Sequence, residues 1–264
     1  MKFLKKIKEA YNESKKTSII VYFVLRTLVI FSMIRQILRG DFSNAFLCVL
    51  SLFLFTIPTF LQKKFKIKLP NALEIIIYLF IYAAEILGEM HNFYRYFPAW
   101  DSILHTLNGF ICAGIGFSLV DLLNENSKRI NLSPLYVVIV AFCFSMTIGV
   151  LWEFFEYSGD KLLRTDMQKD NVIKTVSTVY LEENNKNKAI ILKDIGKTVI
   201  YDKDNNIIAE IENGYLDIGL NDTIKDLMVN LVGAITFSII GFFYIKNREK
   251  YKFVSNFMPT KAEE

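Results

Sequence analysis

Apolar residues in this chain come in long runs, with no short alternation through most of its length. Each run is close to the roughly 20 residues that cross a bilayer as a helix. They predict spans over residues 17–34, 44–62, 71–88, 101–123, 134–157 and 222–245. Local signals set several of the boundaries. Ser133-Pro134 is an N-cap and first-turn pair, and Asn71 with Glu74 fits a capping box. Pro58 falls near the end of the second run, and Pro98 bars a continuous helix before the fourth. Gly109, Ala113, Gly114 and Gly116 would let a neighbouring helix approach the fourth span closely. Arg26 is costly inside the first span and calls for a partner within the protein or a snorkelling path to the interface.

The expected fold class is an all-α polytopic membrane protein of about six transmembrane helices. Its expected parts are a basic N-terminus over 1–16, five helices over 17–157, an insertion over 158–221, a sixth helix over 222–245 and a tail over 246–264. The insertion reads as β. Thr198-Val199-Ile200-Tyr201 and Ile207-Ile208-Ala209-Glu210-Ile211 flank a polar turn at 202–206, and Asn213-Gly214 makes a second turn before Tyr215-Leu216-Asp217-Ile218.

Lysine and arginine set the orientation. Lys2, Lys5, Lys6, Lys8, Lys15 and Lys16 precede the first span, and Lys63, Lys64, Lys66 and Lys68 follow the second. Lys128 and Arg129 follow the fourth, and Lys246, Arg248, Lys250 and Lys252 follow the sixth. With six spans all four groups share one side, which the positive-inside rule makes cytoplasmic. Arg35 and Arg39 fall in the first outside loop and oppose this, but are outnumbered. The first run is too long for a signal-peptide core and no small-x-small cleavage site follows it, so it reads as a retained span. The expected location is the inner membrane, multi-pass, with both termini cytoplasmic and the insertion outside.

Composition agrees. Of 264 residues 52% are hydrophobic, with 23 phenylalanines and 13 tyrosines, and the net charge is only +4. Basic residues mark helix ends, so no nucleic-acid partner is expected; the lipid bilayer is. Cys48, Cys112 and Cys143 all fall inside apolar runs and read as buried thiols outside any disulfide or zinc pattern.

That topology gathers polar residues at one membrane face. Asp101 and His105 lie four apart on one helical face. Glu85 and Glu89 end the third span, Glu153 and Glu156 end the fifth, and Asp222, Asp226 and Asn230 open the sixth. The candidate site is therefore Glu89, Asp101, His105, Glu153, Glu156, Asp222, Asp226 and Asn230. Capping accounts for Asp101 and Asp222, and an interfacial anchor for Trp152. Neither accounts for His105, Asp226 or Asn230 inside their helices, nor for acids near a helix C-terminus. Three readings stay open. One is a site for a divalent metal, another cation or a polar lipid head group, with Asp101, His105, Glu153 and Asp226 as an oxygen-rich metal-ligand set; bound metal could also activate water against an envelope lipid, as in a hydrolase or transferase. Another is a proton or cation pathway, although Asp121 alone would continue it inward. The third is a purely structural hydrogen-bond network. Whether the protein is an enzyme stays undecided.

The spaced residues resemble the YjdF-like bacterial inner-membrane proteins of unknown function. The likeness rests on Gly88-Glu89 with Phe93-Tyr94, Trp100-Asp101-x-x-Leu104-His105-x-x-x-Gly109, Phe144-Ser145-x-x-x-Gly149-x-x-Trp152-Glu153 and Asp222-Thr223-x-x-Asp226-Leu227 with Gly233-Ala234. More distantly, Asp226-Leu227-x-x-Asn230-x-x-Gly233-Ala234 resembles VanZ-like proteins. The resemblance implies a membrane fold and supplies no reaction. Asn230 stands where the YjdF-like pattern leads one to expect an acid, and the β-like insertion is an addition to that pattern.

Overall fold

The computed structural model describes residues 2–126, 132–183 and 186–261. It is mostly helical, with small antiparallel strand pairs. Helix α1 runs Lys2–Leu38, α2 Phe42–Leu54, α3 Ile57–Phe65, α4 Asn71–Ile81, α5 Phe93–Tyr96, α6 Trp100–Asn126, α7 Pro134–Leu163 and α8 Leu220–Lys246. Among the described residues five segments are long and apolar enough to cross a membrane: Thr17–Leu38, Phe42–Phe65, Trp100–Asn124, Pro134–Leu162 and Leu220–Lys246.

The third predicted run is helical but changes type. α4 passes at Tyr82 into a π-helical stretch, Tyr82–Met90, so no uninterrupted α-helix there reaches spanning length. Its last turn is held by His91, whose backbone N–H and Nδ1 both approach the Ile86 carbonyl, at 3.1 and 2.7 Å.

Other boundaries shift for identifiable reasons. Arg35 belongs to the last turn of α1 and not to a loop, which suits the negative end of the helix dipole. The second run breaks at Phe55-Thr56, and Pro58 restarts the helix as α3 in the first turn, where its missing N–H costs nothing. Asn71 is the first residue of α4, and Pro70 takes the N-cap position in its stead. Glu74 accepts hydrogen bonds from Ser18 and Gln62, at 2.8 and 3.0 Å, and so ties α1, α3 and α4 together. Ser133 caps α7 as its sequence suggests, accepting the Tyr136 N–H at 3.3 Å. α7 continues past Tyr157 to Leu163, which leaves Glu153 and Glu156 well inside the helix rather than at its end. Arg26 finds its partner one turn back: it donates to the Tyr22 hydroxyl at 2.6 Å and lies over that ring. Cys48 and Cys112 are buried, but Cys143 is exposed on α7. Lys128 and Arg129 lie outside the described residues.

The chain forms two compact units, Met1–Gly149 with Leu227–Glu264, and Val150–Asp226. In the first, Leu25, Val29, Cys48, Phe55, Tyr78 and Ile86 make one apolar cluster. A second joins α6, α7 and α8 through Phe117, Val137, Ala141 and Phe237. Glycine lets these helices close up. At Gly109 a Cβ would collide with the Asn230 carbonyl, at Gly233 with the Thr106 carbonyl, and at Gly116 with Phe144. The segment after α8 packs as part of this unit. A 3-10 helix, Lys252–Phe257, buries Val254, and β8 (Thr260–Lys261) pairs antiparallel with β1 (Ile67–Lys68).

The second unit holds the insertion, built from three antiparallel pairs. β2 (Asn171–Ile173) pairs with β7 (Tyr215–Asp217), β3 (Val176–Thr178) with β4 (Ile190–Leu192), and β5 (Lys197–Tyr201) with β6 (Ile207–Glu212). The β5–β6 turn is ordered by Asp202, which accepts the backbone N–H groups of Asp204 and Asn206 at 2.8 Å each. Asn213 and Gly214 both take positive φ, the conformation their residue types favour. Strands β2 to β4 were not anticipated: each is three residues long, and none follows an Asn-Gly turn of the kind that marks β7.

Candidate functional site

Helix α6 carries the first part of the candidate site. It starts at Trp100, held in place by an indole N–H bond to the Ala83 carbonyl at 3.2 Å and by edge contacts with Phe93 and Phe97. Asp101 therefore sits in the first turn, where the helix dipole favours an acid. Its Oδ1 lies 3.5 Å from His105 Nε2, and the imidazole is buried. A carboxylate beside one ring nitrogen fixes the tautomer and orientation of the imidazole, which suits proton transfer or ligation of a borderline divalent ion.

Asn230, on α8, is only 1% exposed. Its Oδ1 accepts from Asn108 Nδ2 at 3.1 Å, and its own Nδ2 approaches Met146 Sδ on α7 at 3.6 Å. A Cβ on Gly149 would lie 2.8 Å from that Nδ2. Ser145 donates to the Gly109 carbonyl at 2.8 Å. One amide thus pins α6, α7 and α8 at a single level. Asn108, the partner of the candidate residue Asn230, is one that the sequence does not single out. Its signal was the spacing: seven after Asp101, on the same helical face. Cys112 extends that face and donates to Asn108 Oδ1 at 3.5 Å.

In the second unit Trp152 donates its indole N–H to Glu156 at 2.8 Å, so it does more than anchor at an interface. Glu153 and Glu156 are both buried. Asp226 is 1% exposed, and its carboxylate lies 3.8 Å from the Lys225 ammonium. Asp222 turns to the insertion: its Oδ2 accepts the Lys169 N–H at 2.8 Å. The neighbouring Met167 and Gln168 N–H groups bond to Asp160 of α7, at 2.7 and 2.9 Å. Asp160 and Asp222 together clamp residues 167–169. Asp217 accepts the Asn221 N–H at the start of α8, at 2.8 Å. Glu89 is exposed on the π-helical stretch, whereas Glu85 is partly buried.

Five long apolar helices among the described residues define a polytopic helical membrane protein. The chain belongs to the family described as predicted membrane protein (DUF2238), whose model matches residues 18–247; the YjdF-like likeness is to this family. An uncharacterised protein of Thermotoga maritima is 28% identical over 96 residues, which are 36% of this chain and 48% of that relative. The chain thus spans about half the length of that relative. No solved structure matches.

Proposed function

We propose that the protein binds a divalent cation, or a polar head group that presents one, at a site built from Asp101, His105, Glu153 and Asp226. The carrying observation is the level set by Asn230 against Gly109 and Gly149. His105 precedes Gly109 by one turn of α6, Glu153 follows Gly149 by one turn of α7, and Asp226 precedes Asn230 by one turn of α8. Each step is one helical turn, about 6 Å along its own helix from the pinned level. Three acids and one histidine suit a hard or borderline divalent ion, and such an ion would offset acids that are costly in a membrane interior.

The site faces outward in this reading. The 71–90 segment completes a sixth crossing as an α-helix that continues as a π-helix, and both termini are cytoplasmic in the inner membrane, as the lysine distribution supports. The insertion is then extracytoplasmic. The shared Asp226-to-Ala234 spacing supports a distant relation to VanZ-like proteins. The reading assigns binding and no reaction. Equilibrium dialysis of detergent-purified protein against Mn2+ tests it: about one ion per chain is expected, with Glu153→Gln weakening binding, whereas a chain that retains no Mn2+ above a protein-free control contradicts it.

A further inference from the structure

We infer that the polar file entered at Asp101 is closed at its far end, and that the C-terminal segment is the element that closes it. This goes beyond the proposed site: whatever binds there enters and leaves by one mouth, and the protein is a one-sided binder rather than a conduit.

The file itself lies on one face of α6. Asp101, His105, Asn108 and Cys112 recur at spacings of four, three and four, which keeps them stacked along one side of the helix. Its last polar links are the Cys112–Asn108 and Asn108–Asn230 bonds. Immediately beyond, the interior turns apolar. Phe117, Val137, Ala141, Phe237 and Val254 are fully buried, and Met258 is 5% exposed. Four of these come from the three helices. Val254 and Met258 come from the segment after α8.

That segment makes a re-entrant excursion. Tyr251 stacks on Phe243, and Phe257 then reaches the level of Phe110, with ring centroids 5.4 Å apart. The Phe257 carbonyl lies so close to Gly114 that a Cβ there would stand 2.8 Å from it. The chain then turns back: the Pro259 carbonyl accepts from the Ser118 hydroxyl, and β8 pairs with β1. Gly114 lies 13 residues after Asp101, about 20 Å along α6, so Phe257 reaches well inside the bilayer. Irregular backbone at such depth survives only when buried in protein; Gly114 leaves room for the Phe257 carbonyl, and Ser118 gives the Pro259 carbonyl its donor. Behind the plug, Asp121, the remaining acid of the α6 interior, is held by Arg248 at 2.8 and 3.0 Å. It is therefore neutralised in place rather than offered as a relay.

Two measurements test the closure. In proteoliposomes of the full chain loaded with a pH dye or a Mn2+-quenched dye, proton and Mn2+ entry should match protein-free vesicles. Saturable entry that His105→Ala abolishes would overturn the inference. In a Cys48→Ala, Cys143→Ala background, a membrane-impermeant maleimide presented from the Lys250 side should reach Cys112 only after denaturation. Gly114→Leu, which denies the Phe257 backbone its place, should speed that labelling about tenfold or more by favouring the undocked segment. Ready labelling of the parent chain from that side would also overturn the inference. Failure to bind Mn2+ in solution would instead sink the proposed site and leave the flux result standing.

Discussion

The backbone carbonyl of Asn230 occupies the space that a side chain at position 109 would need, so Gly109 is the point at which α8 rests on α6. Ser145 bonds to the Gly109 carbonyl from α7, and all three helices meet at that residue. Gly109→Ala should therefore lower stability by about 1–3 kcal/mol, the usual cost of overpacking a close contact. Thermal unfolding in detergent would show it. Gly196, which has open space around it, is the matched control, and Gly196→Ala should change little. Equal melting temperatures for Gly109→Ala and the parent would remove the interlock.

Orientation follows from charge. A reporter fused after Asn205 should read extracytoplasmic, and one fused after Lys250 cytoplasmic. The prediction rests on lysine placement and on the parity of crossings. Reporters on one common side of the membrane would mean that α8 does not cross it, and an inverted pair, Asn205 cytoplasmic and Lys250 extracytoplasmic, would contradict the orientation itself.

The insertion should be separable if cut at the right place. Residues 171–217 end in the β2–β7 pair, whereas residues 167–169 are clamped by Asp160 and Asp222. Replacing 171–217 with a short Gly/Ser linker should leave a folded, detergent-stable protein, since long loops close at little entropic cost. Extending the deletion back through 167 should lower its melting temperature, because both acids lose their N–H donors. Equal behaviour of the two deletions would show that the clamp contributes nothing.

Acid should loosen the β5–β6 turn through Asp202. Bonds from the Asn206 side chain and from the Asn206 and Asp204 backbone hold its carboxyl below the ordinary value of 3.8. A depressed folded value means the contribution is fully present above the unfolded value and is lost as pH falls through the folded one. The protection of the Asn206 amide, its exchange rate relative to the intrinsic rate at each pH, should thus fall below about pH 3.8, and Asp202→Asn should remove that change in protection. A parent and variant with parallel pH profiles would contradict the assignment.

Much of the fold was legible because lipid demands unbroken apolar runs, and α6, α7 and α8 lie within a few residues of their expected starts. The glycines on α6 were legible as places of close approach, although Gly114 admits the backbone of the C-terminal segment as well as the Phe237 ring of α8. Three features were hidden. The shift from α to π geometry at Tyr82 leaves no mark in an apolar run. The break at Phe55-Thr56 was masked by Pro58, which reads equally as a stop and as a start. The docked tail hid behind its lysines, although Phe253, Val254, Phe257 and Met258 carried the apolar signal. At the site, acids and histidine stood out by type. Asn108 did not, because a neutral amide is noticed only through its register with Asp101. Asp222 was legible as polar, but the N–H it accepts from Lys169 is set by chain reversal, which no local spacing encodes.

The most direct test of the cation site compares Mn2+ retained by wild type, His105→Ala, Asp226→Ala and the double variant, each checked for an unchanged melting profile. Residues that share one ion act as a unit, so each single change should abolish retention and the double should be no worse. Wild type without metal, with each substitution lowering stability by about 1–3 kcal/mol as an orphaned buried partner would, would show instead a hydrogen-bonded network that holds the helices together.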